Sequence, residues 1–257
     1  MMAKGTLYLV PNTLDLGTTE PGSPLPDIQD ILPLGVLQQA ARLTHWAVEN
    51  AKTTRAFLQR VNAVVPLQRP LQDIQIIELP RPAKGQRDAP SADLSALLAP
   101  LLSGAEVGLI SEAGLPGVAD PGAALVAAAH DAGCRVVALS GPSSLTLALA
   151  ASGLNGQSFA FVGYLPIDAQ ERATRLRELE ALSRRQRQTQ VVIETPYRNE
   201  ALLAAMLAQL QPGTRLSVSC GLTLADGFSR TARVSEWRTG PLAMSKDRPA
   251  VFCFLAA

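Results

Sequence analysis

Short apolar runs broken by proline and glycine set the rhythm of the first half of the chain. Thr6 to Val10 (TLYLV) is an uninterrupted apolar run stopped by Pro11, the pattern of a strand buried on both faces. Thr44 to Val48, Asp73 to Leu79, Val107 to Ile110 and Arg135 to Leu139 repeat that pattern. Between them the spacing predicts helices around Thr53 to Val61, from an N-cap at Ser91 through Leu102 with Asp93 in the first turn, and from Ala123 to about Ala132. Gly104 and Gly133 are placed to end the last two. Asn12 to Pro33 and Pro80 to Pro90, the latter with Arg81, Lys84 and Arg87, read as loops. Strands alternating with helices argue for a parallel α/β sheet.

The second half is less regular. Strands are expected at Phe159 to Leu165, Val191 to Glu194, Leu216 to Cys220, Ser229 to Trp237 and Ala250 to Leu255. Asp168 is placed to cap a charged helix running to about Ser183, and another helix is expected from Asn199 to Leu210. A run of strands closing the chain suggests a mixed sheet. The expectation is two α/β domains, residues 1–133 and 134–257.

Composition narrows this picture little. Of 257 residues, 47% are hydrophobic and 18% charged, which excludes disorder as the dominant state. The formal charge of +1 gives no global attraction to nucleic acid, so any such contact must be local. Cys134, Cys220 and Cys253 lie far apart in apolar runs and read as buried free thiols. No Cys/His spacing suits zinc. Trp46 and Trp237 read as core. No apolar stretch approaches the ~20 residues that span a bilayer, so a soluble, cytoplasmic protein is expected.

Three loops leaving strand ends carry small, turn-forming residues: Pro11 to Leu14, Ser111 to Gly122 (SEAGLPGVADPG) and Ser140 to Ser144 (SGPSS). In open α/β sheets ligands bind beyond the carboxyl ends of strands, and glycine there lets backbone approach a ligand closely. The dinucleotide fingerprint and the Walker loop are both missing, which argues against NAD and ATP chemistry.

The stretches GTLYLVP (Gly5 to Pro11), SEAGLPGVADPG, RVVALSGPSSL (Arg135 to Leu145), ASGL (Ala151 to Leu154), FVGYLP (Phe161 to Pro166), ETPYR (Glu194 to Arg198) and RPAVFCFL (Arg248 to Leu255) occur in order along nearly the whole chain. Together they resemble the tetrapyrrole methylase superfamily, and within it the branch that methylates a ribose 2′-hydroxyl of small-subunit ribosomal RNA. The resemblance implies a tetrapyrrole methylase-like fold with S-adenosyl-L-methionine (AdoMet) in a cleft between two α/β domains. By position it implies cofactor contacts at Leu14, Leu115, Val118, Ser143, Ser144, Ile193, Glu194, Ser219 and Ala250. It further implies ribosomal RNA or the small ribosomal subunit as partner, and a homodimer. Against the family pattern, PNTLDLGTTE replaces PTPIGNLGD, VENAKTTR (Val48 to Arg55) keeps Glu49 and Arg55 of AEDTRHTR, and SCGLTL (Ser219 to Leu224) lacks the Arg-Glu pair of ARELTK.

A ribose hydroxyl attacking a methyl group profits from a base that accepts its proton. Glu112, Glu194 and Glu49, in that order, are the candidates. Arg172, Arg175, Arg177, Arg184, Arg185 and Arg187 form the one basic concentration, read as a solvated helix or a phosphate-contacting edge. Tyr197 and Arg198 are candidates to stack on or clamp a nucleotide. Two other readings stand beside RNA methylation: C-methylation of a tetrapyrrole, and an AdoMet-binding protein that has lost catalysis.

Overall fold

A computed structural model describes residues 3–15, 26–80, 93–240 and 244–257. Its chain divides into two compact units, Met1–Pro142 and Ser143–Ala257. The expected Ser91 cap and most of the expected loop from Pro80 to Pro90 lie outside the described residues.

The first unit runs β1 (Thr6–Leu9), α1 (Leu34–Arg42), β2 (His45–Val48), α2 (Ala51–Val64), β3 (Gln75–Glu78), α3 (Ser95–Leu102), β4 (Val107–Ile110), α4 (Ala123–Asp131) and β5 (Arg135–Ala138). The five strands form a parallel sheet in the order β3-β2-β4-β1-β5. Alternate side chains of these strands enter different cores. Val10, Trp46, Val48 and Ile110 pack with Leu37, Ala40, Phe57 and Leu58 of α1 and α2. Leu7, Ala47, Val107 and Leu109 pack with Leu97, Leu101 and Leu125 of α3 and α4. A sheet covered on both faces explains why its strands read as continuous apolar runs. The strand that follows Gly133 belongs here, because β5 pairs with β1 from Thr6↔Arg135 to Leu9↔Ala138.

The second unit runs α5 (Ser144–Ser152), β6 (Phe159–Gly163), α6 (Ala169–Gln186), β7 (Thr189–Glu194), α7 (Asn199–Gln209), β8 (Arg215–Cys220), β9 (Phe228–Arg233), α8 (Val234–Thr239) and β10 (Ala250–Leu255). Its sheet has the order β6-β7-β10-β8-β9, parallel between β6 and β7 and antiparallel elsewhere, hence mixed as expected. Val191, Val251 and Cys253 face Leu145 and Ala148 of α5. Val192, Val218, Phe252 and Phe254 face Leu176, Leu179, Leu202 and Met206 of α6 and α7. Asp168 caps α6, its carboxylate accepting from the backbone of Gln170 and Glu171 at 2.9 Å each.

Three elements differ from the sequence reading. The strand expected over Ser229 to Trp237 ends at Arg233, and Val234–Thr239 is helical. The Val234 amide closes the β8–β9 pairing on Thr214 O at 2.9 Å; the chain then turns into the helix, and the Trp237 indole donates to Leu216 O at 2.9 Å. α1 was hidden by the proline-rich stretch before it, although Pro33 is a permissible helix start. α5 was hidden because Leu145, Leu147 and Leu149 alternate like a strand. All three cysteines are buried free thiols, and Trp46 and Trp237 are core residues. Among the described residues, no helix is long and apolar enough to cross a membrane.

Candidate functional site

In the first unit β1 and β4 are neighbours whose onward connections leave in opposite directions, β1 toward β2 and β4 toward β5. Such a switch point leaves a crevice at the carboxyl ends of the strands. The loops that leave these strands are bonded to one another. Asn12 and Gly114 exchange backbone hydrogen bonds of 2.9 and 3.2 Å. The Asn12 amide donates to Ser111 O at 3.2 Å and Glu112 O at 3.0 Å, while its carbonyl accepts from the Thr13 amide at 2.9 Å. The third loop packs on the first at Gly141, where a Cβ would lie 2.2 Å from Pro11 Cβ. Glycine is therefore required there by close approach. Gly114 sits at φ +67°, and a Cβ on it would meet Leu14 Cδ2 at 3.3 Å, so Leu14 leans over the second loop. Leu14 and Leu115 are half-buried and Val118 is 44% exposed.

Carboxylates gather at the same strand ends. Glu49, just after β2, accepts the Glu112 amide at 2.9 Å and donates its own amide to Ile110 O at 3.1 Å. Asp120, at the far end of the second loop, joins them. Burial first, then the charges of Glu49 and Glu112, raise its pKa to about 6 against a contact with Ser111. Ser111 Oγ donates to Ala113 O at 3.1 Å. Asp120 was not singled out by sequence reasoning, although it lies in the SEAGLPGVADPG stretch. Its return toward Ser111 depends on left-handed backbone at Gly117 (φ +78°) and Ala119 (φ +66°), the latter at a cost of ~1–2 kcal/mol.

The second unit brings its own candidates together. Register places Ala250 between Glu194 and Cys220, and Val251 between Ile193 and Ser219. Ile193 shares a cluster with Leu145, one residue past Ser144; Ser143 precedes α5 without a side-chain cap bond, and both serines are half-buried. Ser219 is buried, with its hydroxyl 2.8 Å from that of Ser229. Glu194 is 1% exposed; it pairs with Arg198 at 3.0 Å and accepts from the Thr195 amide at 2.8 Å. That carboxylate is engaged as a structural anchor. Arg198 also donates to Leu165 O at 3.2 Å, so it points inward, whereas Tyr197 is 79% exposed.

The arginines of α6 are largely committed to local partners. Arg172 donates to Pro166 O and Ile167 O, Arg175 pairs with Glu178, Arg177 donates to Gln209 and Arg184 to Ala257 O. Among the described residues no group of three or more His, Cys, Asp or Glu is placed to hold a metal ion.

Comparison with known proteins decides the family. The family model described as Tetrapyrrole (Corrin/Porphyrin) Methylases matches residues 35–236. The chain belongs to this family. Among curated relatives, the ribosomal RNA small subunit methyltransferase I of Mesorhizobium japonicum is 40% identical over 154 residues, 60% of this chain and 48% of that protein. The protein of the same name from Halalkalibacterium halodurans is 28% identical over 206 residues, 79% of this chain and 60% of that protein. The chain thus spans about half the length of the curated relatives it matches. The crystal structure of the methyltransferase CobJ superposes with a TM-score of 0.57 at 15% identity, over 100% of this chain and 95% of its own. Uroporphyrin III C-methyl transferase from Thermus thermophilus superposes with a TM-score of 0.51 at 19% identity, over 96% and 97%. These two likenesses show the tetrapyrrole methylase fold.

Proposed function

We propose that this tetrapyrrole methylase is an AdoMet-dependent methyltransferase acting on a ribose 2′-hydroxyl of small-subunit ribosomal RNA. The observation that carries the cofactor half of this reading is the joining of three strand-end loops beside the β1/β4 switch point, two by hydrogen bonds and the third by packing at Gly141. The names of the relatives support the acceptor half. The cradle suits AdoMet: Gly114 and Gly141 let the loops close on one another, and Leu14, Leu115 and Val118 offer apolar side chains for the adenine and the carbons beside the sulfonium. A cytoplasmic setting and a homodimer accompany this reading through the family resemblance.

AdoMet supplies an electrophilic methyl group on a positively charged sulfur. The tied loops hold their ligand in a fixed pose, and positioning of that kind is worth up to ~7–11 kcal/mol of barrier. The chain's own part would be to take up, on a carboxylate at the strand ends, the proton that the acceptor hydroxyl gives up. Asp120 is the best matched acceptor, because a base with a pKa of about 6 is ionised at neutral pH yet holds a proton better than an ordinary carboxylate. Glu112 stands beside it as the second candidate. Glu49 acts through its bond to the Glu112 amide.

Incubation with methyl-labelled AdoMet and unmethylated small ribosomal subunits tests the proposal. A ribose 2′-O-methyl group blocks alkaline cleavage of the next linkage, so label should appear in alkali-resistant dinucleotides. Transfer should fall as pH drops through 6 in the wild type. Label moving to a tetrapyrrole instead would favour C-methylation, and cofactor uptake without transfer to either would favour a binding protein.

A further inference from the structure

Arg60, on the third turn of α2, lies five residues past the Val48 to Arg55 stretch, and its guanidinium ends against the first strand-end loop. One nitrogen, Nη1, lies 3.1 Å from Asp15 Oδ2, 3.4 Å from Asp15 Oδ1 and 3.2 Å from Thr13 Oγ1. The other, Nη2, donates to Pro26 O at 3.0 Å. Thr13 Oγ1 in turn donates to Asp15 Oδ1 at 3.0 Å. The Asp15 side chain is 3% exposed and that of Arg60 18%, so the pair is shielded from water. Leu14, which leans over Gly114, sits between the two residues that Arg60 holds.

We propose that Arg60 is a positioning residue for AdoMet: by joining Thr13 and Asp15 to Pro26, it fixes the pose of Leu14 against the second loop, where the cofactor lies. The inference rests on the function proposed above. The first loop meets the second through Asn12 alone among the bonds described, and beyond Asn12 the loop leaves the sheet. Removing the Arg60 bonds loosens Thr13 and Asp15 on either side of Leu14, and a ligand that must then select the competent conformation loses apparent affinity by the competent fraction. The planar guanidinium can serve the carboxylate and the Pro26 carbonyl at once through separate nitrogens; a lysine ammonium is a single point donor and spans them poorly. The ion pair also offsets the charge of Asp15 beside Leu14.

The test is titration calorimetry with S-adenosylhomocysteine at 20 °C on wild type, Arg60→Met, Arg60→Lys, Asp15→Asn and the Asp15→Asn/Arg60→Met pair, with thermal melts run in parallel. The expected result is at least tenfold weaker binding for Arg60→Met and Asp15→Asn, partial recovery in Arg60→Lys, and a double variant no worse than the weaker single by more than threefold. If Arg60→Met does not fold, the isosteric Asp15→Asn carries the comparison. A merely structural role lowers the melting temperature and leaves the dissociation constant of the folded protein within threefold, and that result overturns the inference. Wild type that binds no S-adenosylhomocysteine overturns instead the function on which it rests.

Discussion

Asp120→Asn gives the sharpest reading of the electrostatics at the strand ends. The aspartate is held, half-buried, beside Glu49 and Glu112, with its pKa raised from 3.8 to about 6. Folding therefore favours its protonated form. Its favourable contribution is complete below about pH 4 and is lost as pH rises through 6. The full linkage for that rise is ~3 kcal/mol, which solvent screening of a half-exposed group reduces to ~1–2 kcal/mol. Asparagine carries no charge at any of these pH values, and its carbonyl oxygen can still accept from Ser111. Asp120→Asn should thus match the wild type near pH 3.5 and exceed it at pH 8 by ~1–2 kcal/mol, or about 3–6 °C in melting temperature. Thermal melts in paired buffers at the two pH values measure this directly. A variant less stable than wild type at pH 8, or a difference that does not change with pH, would refute the placement of a desolvated carboxylate against two others.

Other perturbations probe each unit separately. Arg198→Met strands the buried Glu194 carboxylate and should cost ~3–5 kcal/mol in urea unfolding; a loss under 1 kcal/mol contradicts a structural ion pair. Gly108→Ala places a Cβ 2.8 Å from the Trp46 ring and 3.0 Å from Leu43 Cδ1, so overpacking of ~1–3 kcal/mol is expected, read in the same assay. Tyr197→Ala should reduce labelled-methyl transfer to small ribosomal subunits at least tenfold while S-adenosylhomocysteine affinity stays within twofold, consistent with a base-stacking contact of ~1–3 kcal/mol. Equal transfer by the two proteins would remove Tyr197 from acceptor recognition.

Much of the fold was legible because local chemistry and tertiary structure agree. The parallel strands are covered on both faces, so TLYLV and VGLI show as plain apolar runs, and Asp168 announces α6 by the cap it makes. Legibility failed where distant contacts decide. α8 is held by the bond from the Trp237 indole to Leu216 O, and Arg230 stacks over the Trp237 ring at 4.2 Å. α5 is read as a helix only once its Leu145 and Ala148 meet Val191 and Val251. At the candidate site, the glycine-rich loops were visible as motifs, but the partners of their charges were not. Asp120 returns through a left-handed alanine, and Arg60 reaches Asp15 across 45 positions of sequence, and neither has a local signature. Glu194, conversely, looked like a candidate base in ETPYR, and its pairing with Arg198 four residues on appears only in three dimensions.

Hydrogen–deuterium exchange with and without S-adenosylhomocysteine tests the proposed seat of the cofactor on the strand-end loops of the first unit. Exchange should slow in peptides covering residues 10–15, 111–122 and 139–142. Unchanged exchange in all three, with the ligand demonstrably bound, would contradict it.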